Sequence, residues 1–149
     1  MDIVSKVIAE AASYTMVPAD SLAFTIESVF DAVDMNRAGD LVECGRWRRG
    51  CSFAMLLAQR YRYGRIVKPV WMFDSFEGLP PVDERDGPLA AQYQMNVTSP
   101  TCFDNCRAPL TLVLEAIQGF GFSPEEAIIV PGWFNETIPG EPTNWPSEA

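Results

Sequence analysis

The chain has 149 residues, of which 48% are hydrophobic and 21% charged, and this length and composition predict one compact globular domain. Its formal net charge of −9 argues against a nucleic acid partner, because binding a phosphate backbone requires a basic face. Since no run of about 18 apolar residues occurs, no membrane span is expected.

The first 39 residues form a predicted helical lead-in. Apolar residues recur from Ile3 to Ala11 at the spacing of one helix face. Pro18 can open a second helix as its first residue, and Gly39 lies where that helix should have ended. The N-terminus is acidic and amphipathic, whereas a signal peptide has a basic start and an apolar block. A cytoplasmic location is therefore the default expectation.

From residue 40 onward, short apolar strands alternate with helices. The predicted order is a strand at 41–44, a helix from about Ser52, a strand at 67–76, a loop at 77–88, a helix from about Pro109 and a strand at 127–134. This order predicts an α/β fold with a parallel sheet and flanking helices. Three strands are few for a parallel sheet, which is normally covered on both faces. The fold is therefore expected to be truncated after the third strand.

Cysteine and arginine residues give weaker signals. The four cysteines are predicted to be free thiols, because the chain has no histidine and a zinc site would need all four thiolates. Cys44 in addition ends a strand that is predicted to be buried. In the stretch 46–68, which is basic and contains no acid, the arginine stems from Arg60 onward are expected to cover apolar surface. The role of the arginines before Gly50 stays open.

The stretch VECGRWRRGCS, residues 42–52, predicts a glycine turn between the first strand and the next helix. It matches a phosphate-binding P-loop except that Cys51 stands where the pattern needs lysine. The G-x-G-x-x-G fingerprint of dinucleotide-binding proteins is also absent, because residues 46–49 fill the gap with bulk. Both standard phosphate cradles are thus missing, although Gly45 still permits a close approach of backbone or ligand.

Two carboxylates lie at predicted strand ends near this turn. Asp74 closes the second strand about 30 residues after Gly45, where an acidic side chain can accept the hydroxyls of a ribose. The alternative for Asp74 is a helix or turn cap. Glu43 lies beside the turn and matches a ligand ammonium or sulfonium by charge. An adenosine with a cationic tail fits these features, and S-adenosylmethionine is such a molecule.

Three motifs in this order carry a family resemblance: GDLVECGRWRRGCS at 39–52, MFDSFEGLPP at 72–81 and GWFNETIP at 132–139. They resemble the macrocin O-methyltransferase family, and the resemblance covers about residues 13–139. It implies a Rossmann-like class I methyltransferase that uses S-adenosylmethionine to methylate a hydroxyl of a small molecule, a sugar or natural product. Residues 40–149 would then be its incomplete cofactor-binding half.

The resemblance implies roles for single residues in the first half of the site. Glu43 and Gly45 would form the methyltransferase glycine turn, and Asp74 would be the ribose-binding acid. Ser52 would lie near the methionine end of the cofactor, at a helix N-terminus that favours a carboxylate. Arg46 and Arg49 depart from the family pattern and leave the cofactor affinity open.

Further implied contacts follow the second and third strands. Ser75 and Phe76 would border the adenosine. Gly132, Trp133 and Phe134 would lie where the adenine rests. The alternative for the two aromatic residues at 133 and 134 is ordinary core packing.

The catalytic residues are not identifiable in this sequence. In the family, later strands carry aspartates that hold magnesium and supply the base, and this chain has no matching segment. It is therefore expected to be a piece without the metal and acceptor half. Two alternatives stay open: a fragment of an NAD-type Rossmann oxidoreductase, and a non-catalytic domain that pairs through its sheet edge, as a homo-oligomer for example.

Overall fold

A computed structural model of the protein describes residues 1–15, 17–45, 50–96, 98, 107 and 109–138. Three parallel strands are flanked by helices, as the alternating sequence pattern predicts. In chain order the elements are α1 (Ile3–Ala11), α2 (Ala19–Asp34), β1 (Leu41–Cys44), α3 (Gly50–Tyr63), β2 (Val70–Asp74), α4 (Gly87–Met95), α5 (Leu110–Phe120), β3 (Ala127–Pro131) and α6 (Phe134–Thr137). None of the described helices is both long and apolar enough to cross a bilayer.

The strands lie in the order β1-β2-β3, with Leu41 beside Val70 and Val70 beside Ala127. Because all three run in the same direction, their carboxyl ends meet at one edge of the sheet. The ladder continues one step past the strands, where the Gly45 N–H donates to the Phe73 carbonyl at 2.9 Å. The sheet thus brings the segments after β1, β2 and β3 together.

One hydrophobic core joins the sheet to helices α1, α2, α3 and α5. The fully buried large side chains include Val7, Leu22, Ile26, Phe53, Leu56, Leu57, Val70 and Met72. Burial of each such side chain contributes about 1.5–3 kcal/mol, so this core is the main source of stability.

The opposite face of β1 is exposed, which corrects one expectation. Val42 is 42% exposed and Cys44 is also exposed, so the prediction that Cys44 ends a buried strand was wrong. Side chains along a strand point alternately to the two faces. Leu41 packs against the core cluster, whereas Val42 and Cys44 point to the other face.

A buried glutamine fixes the connection from α3 to β2. Gln59 is fully buried, and its Oε1 accepts from the N–H groups of Val67 at 3.0 Å and Lys68 at 2.8 Å. Its Nε2 donates to the Lys68 carbonyl at 3.0 Å and to the Met55 carbonyl at 3.3 Å. One side chain therefore satisfies the backbone of the turn that leads into β2.

The arginines of α3 cover aromatic rings, as their sequence context predicts. The Arg60 guanidinium lies 3.8 Å from the ring centre of Phe122 and donates to the Phe120 carbonyl at 2.6 Å. The Arg62 guanidinium lies 4.4 Å from the ring centre of Phe30. The earlier stretch 46–49, with Arg46 and Arg49, and the cysteines at 102 and 106 lie outside the described residues.

The region 77–95 differs from the prediction. Residues 77–88 were expected to be a loop, but Glu84–Asp86 form a 3-10 helix and α4 begins at Gly87. Asp83 and Asp86 cap this 3-10 helix reciprocally. The Asp83 side chain accepts from the Arg85 N–H, and the Asp86 side chain accepts from the Asp83 N–H. Pro88 occupies the first turn of α4, where its missing N–H costs nothing.

Candidate cofactor site

The three strand ends form one edge, and two of them are followed by glycine turns with positive φ. Gly45 has φ +81°, and a Cβ there would lie 3.6 Å from the Phe134 ring. Gly132 has φ +141°, and a Cβ there would lie 2.8 Å from the Thr137 methyl group. Only glycine adopts such angles without steric cost, so both positions depend on it. The turns after β1 and β3 are therefore close enough to form the walls of one site.

A cavity of about 530 Å³ opens at this edge, within the roughly 300–1,000 Å³ of small-molecule sites. Six of the nine predicted cofactor residues line it: Gly45, Asp74, Ser75, Gly132, Trp133 and Phe134. Four further residues line it that sequence reasoning did not assign: Gly78, Leu79, Pro80 and Asn135. All four lie in the motifs at 72–81 and 132–139, so the motifs themselves contained the signal.

Asp74 lies at the end of β2 with only 8% of its surface exposed. Its Oδ1 accepts from the Phe76 N–H at 2.7 Å, and its backbone carbonyl accepts from the Gly132 N–H at 2.9 Å. The turn cap that the sequence left as the alternative is therefore present. A carboxylate has about four acceptor sites, so a turn cap and a ligand contact are compatible at Asp74.

Phe76 lies elsewhere than expected. Its side chain is 6% exposed and packs in the core cluster, so it does not line the cavity. Its φ of +59° is in the left-handed region, which costs a bulky residue about 1–2 kcal/mol. The bond from Phe76 N–H to Asp74 and the burial of the ring hold this conformation. The strained residue thus fixes the backbone on which Asp74 and Ser75 face the cavity.

Glu43 and Ser52 contact each other and do not line the cavity. The Ser52 N–H donates to Glu43 Oε2 at 3.0 Å, and the Ser52 hydroxyl donates to the same oxygen. Ser52 was expected to offer a helix N-terminus to a ligand carboxylate, but the protein's own carboxylate takes that position. A Cβ at Gly50 would lie 1.8 Å from the Thr15 Cβ, so the lead-in also packs directly on the start of α3.

The aromatic residues after β3 belong to the cavity and not to the core. Phe134 is 42% exposed, Trp133 is half-buried, and both line the cavity. The Phe134 ring lies against Gly45, because a Cβ added there would be only 3.6 Å from the ring. Phe134 therefore joins the turn after β3 to the turn after β1. An aromatic surface beside a carboxylate suits a flat base joined to a hydroxylated sugar.

The acidic residues of the 3-10 helix do not form a metal site. Within the part of the chain that the structure describes, no group of three or more histidine, cysteine, aspartate or glutamate residues could hold a metal ion. Asp83 pairs with Arg85 at 2.6 Å, and this hydrogen bonding lowers the pKa of the Asp83 carboxyl.

Comparison with known proteins gives one consistent result. A model of the family described as Macrocin-O-methyltransferase (TylF) matches residues 9–145. A Streptomyces olivaceus 8-demethyl-8-(2,3-dimethoxy-alpha-L-rhamnosyl)-tetracenomycin-C 4'-O-methyltransferase is 33% identical over 125 residues, which cover 83% of this chain and 44% of that protein. Demethyldecarbamoylnovobiocin O-methyltransferase from Streptomyces niveus is 30% identical over 136 residues, with 89% of this chain and 48% of that protein covered.

The solved structures give the same answer. The structure of the O-methyltransferase NovP aligns with a TM-score of 0.69 and 30% identity, over 87% of this chain and 51% of that one. The chain thus spans about half the length of the relatives that it matches.

Proposed function

Because this chain belongs to the macrocin O-methyltransferase family, we propose that it binds S-adenosylmethionine in the cavity at the strand ends. It would then be the cofactor half of an enzyme that methylates a hydroxyl of a small molecule. The observation that carries the proposal is the position of Asp74 at the cavity beside the aromatic residues after β3. The acceptor class, a sugar or natural product, follows from the names of the relatives.

The residues of the cavity fit an adenosine cofactor. Asp74 would accept the ribose hydroxyls through charge-assisted hydrogen bonds. Trp133 and Phe134 would pack against the adenine. The absence of a side chain at Gly45 would let the cofactor lie close to the protein backbone at the end of β1. Glu43 already holds Ser52, so its attraction for the cofactor ammonium would be a longer-range effect of its charge.

The chemistry needs two further contributions. Bound S-adenosylmethionine supplies a sulfonium methyl group that the acceptor oxygen takes, leaving S-adenosylhomocysteine and the hydroxyl proton. A base must receive that proton, and a magnesium ion in the whole enzyme would assist it. We assign neither role to a described residue. What this half contributes is the position of the cofactor relative to the acceptor.

We also propose a cytoplasmic location. Neither of the described cysteines, Cys44 and Cys51, is in a disulfide, which suits a reducing compartment. The cofactor proposed for the cavity is in addition a metabolite that a cytoplasmic enzyme can draw on.

Titration calorimetry with S-adenosylhomocysteine tests the proposed function. Asp74→Asn keeps an oxygen that accepts from Phe76 N–H and removes the charge, so the turn should survive. We expect this variant to bind roughly tenfold more weakly or worse, a loss of at least ~1.4 kcal/mol. Glu27→Gln removes the same charge from an exposed position on α2 and should bind like the wild type.

Two other outcomes would contradict the proposal. Preference for NAD over S-adenosylhomocysteine would favour the oxidoreductase alternative. A stable homo-oligomer without affinity for either nucleoside would favour an interaction domain that pairs through its sheet edge.

A further inference from the structure

Helix α3 begins at the place where a parallel α/β sheet commonly binds a nucleotide phosphate. In dinucleotide-binding sheets, the pyrophosphate lies at the N-terminus of the helix that follows the first strand. Here that helix is α3, which begins at Gly50, and Gly45 at the end of β1 lines the cavity. The contacts of the first turn of α3 therefore bear on which nucleosides the cavity can hold.

The first turn of α3 already holds an anion that belongs to the protein. The Ser52 N–H donates to Glu43 Oε2 at 3.0 Å, and the Ser52 hydroxyl donates to the same oxygen. Ser52 is fully buried, so water does not compete for these two bonds. The backbone N–H of Ser52, which a ligand phosphate could otherwise use, is thus taken by a carboxylate.

The helical lead-in covers one side of the same helix end. A Cβ added at Gly50 would lie 1.8 Å from the Thr15 Cβ, so Thr15 packs directly on the first residue of α3. Glu43 and Thr15 come from opposite sides of α3 in the chain, and both contact its first turn. The protein itself therefore fills part of the space in which a phosphate would lie.

The charge of Glu43 adds repulsion to this competition. A 5′-phosphate is negative, and like charges a few ångströms apart in a half-buried site repel strongly enough to change affinity by roughly tenfold. Asp74 does not provide the same discrimination, because dinucleotide-binding proteins also have an acid at that strand end and use it for the ribose. Glu43 is therefore the carboxylate that separates the two ligand classes.

We propose that Glu43 is a specificity-determining residue, which makes the cavity select adenosine ligands that have no 5′-phosphate. Adenosine with a neutral or cationic 5′-thio substituent binds, whereas AMP, ADP and dinucleotides are rejected. The inference rests on the proposed function, which supplies the adenosine in the cavity. It goes beyond that function by naming the residue that excludes nucleotides.

Two ligands that differ only in their 5′ substituent test the proposal: 5′-methylthioadenosine, which is neutral, and AMP. Each is titrated into the chain by calorimetry. We expect the wild type to bind 5′-methylthioadenosine at least about tenfold more tightly than AMP. Equal or tighter binding of AMP would overturn the inference. Positive charge would then dominate, and the sequence supplies it at three positions outside the described residues, Arg46, Arg48 and Arg49.

Glu43→Gln tests whether one charge causes the preference. Both bonds from Ser52 end on one oxygen of Glu43, and the amide oxygen of glutamine has two acceptor sites, so the start of α3 should survive. The preference for 5′-methylthioadenosine should narrow by about fivefold or more, through tighter binding of AMP. Glu27→Gln removes a charge from an exposed position on α2 and should leave the preference as it is. An unchanged preference in Glu43→Gln overturns the inference.

Salt provides a second measurement that needs no substitution at the site. Dissolved ions screen charges, so raising NaCl from about 0.05 to 0.5 M should narrow the preference of the wild type. A preference that widens with salt overturns the inference, because attraction would then govern the binding of AMP.

The results separate this inference from the proposed function. A wild type that binds S-adenosylhomocysteine and 5′-methylthioadenosine, with a preference that Glu43→Gln does not change, overturns the role of Glu43 alone. A folded wild-type chain that binds neither ligand overturns the proposed function, and the role of Glu43 with it.

Discussion

Helix α3 precedes β2 in the chain and helix α4 follows it, but the two helices differ in how far their apolar side chains are buried. Helix α3 buries nine of its residues, among them Leu56 and Gln59, whereas α4 buries none and leaves Leu89 78% exposed. Helix α3 is therefore part of the stabilising core. Helix α4 contributes little to that core and instead lines a second cavity beside the one at the strand ends.

The same contrast holds for their glutamines. Gln59 and Gln94 each connect a helix to a neighbouring loop, because the side-chain amide donates a hydrogen bond through its nitrogen and accepts one through its oxygen. Gln59 is fully buried, and Gln94 is half-buried. Identical chemistry thus joins a core helix to its loop in one region and a cavity-lining helix to its loop in the other. The difference is burial, because an unmet hydrogen bond is costly only where water cannot replace it.

The largest expected effect comes from one substitution made in both helices. Leu56→Ala opens a cavity in the core and should lower the free energy of unfolding by about 2–5 kcal/mol. Leu89→Ala removes the same atoms from an exposed position and should change it by less than about 0.5 kcal/mol. Urea unfolding followed by circular dichroism measures both. Equal losses in the two variants would mean that α4 is packed as tightly as α3.

The glutamine pair gives a smaller effect. Gln59→Leu leaves the half-buried N–H groups of Val67 and Lys68 without their acceptor, so the free energy of unfolding should fall by about 2–3 kcal/mol. Gln94→Leu removes two bonds that water can replace and should cost less than about 1 kcal/mol. Urea unfolding again measures both variants. A larger loss for Gln94→Leu would contradict the division between the two regions.

Much of the fold was predictable from sequence, because the strands and α1, α2, α3 and α5 have clear apolar patterns. Helix α4 was missed for a physical reason. Its apolar residues surround the helix without forming a stripe, and it begins at Gly87-Pro88, a pair that indicates a turn. A helix that faces a cavity does not need the stripe that a core-facing helix needs.

The site was predictable where it follows from the ends of strands. Gly45 and Asp74 were identified because the carboxyl ends of parallel strands meet at one edge, whereas Gly132 was implied by the family resemblance. The contact of Glu43 with Ser52 was not, since it joins residues nine positions apart across a turn. The position of Phe76 was also unpredictable, because a positive φ is rare for a bulky residue and depends on the surrounding core.

The smallest expected effect is a pH dependence of the free energy of unfolding that arises where α3 packs on α2. Burial, and then the hydrogen bond to Asp34, raise the pKa of Tyr63 to about 12. The folded state therefore retains the phenol proton above pH 10, where the unfolded state begins to lose it. The stability that this adds is fully present below about pH 10 and is lost as the pH rises towards 12.

Urea unfolding between pH 9 and 11 measures this slope. Tyr63→Phe should flatten the decline in stability over that interval. Asp34→Asn removes the carboxylate that accepts from the phenol and should flatten it in part, because burial still raises the pKa. A decline that is unchanged in both variants would mean that Tyr63 does not link α2 to α3 through its proton. The packing of α3 on α2 would then be stabilised by apolar contacts without this contribution. The difference between α3 and α4 would in that case come from burial alone.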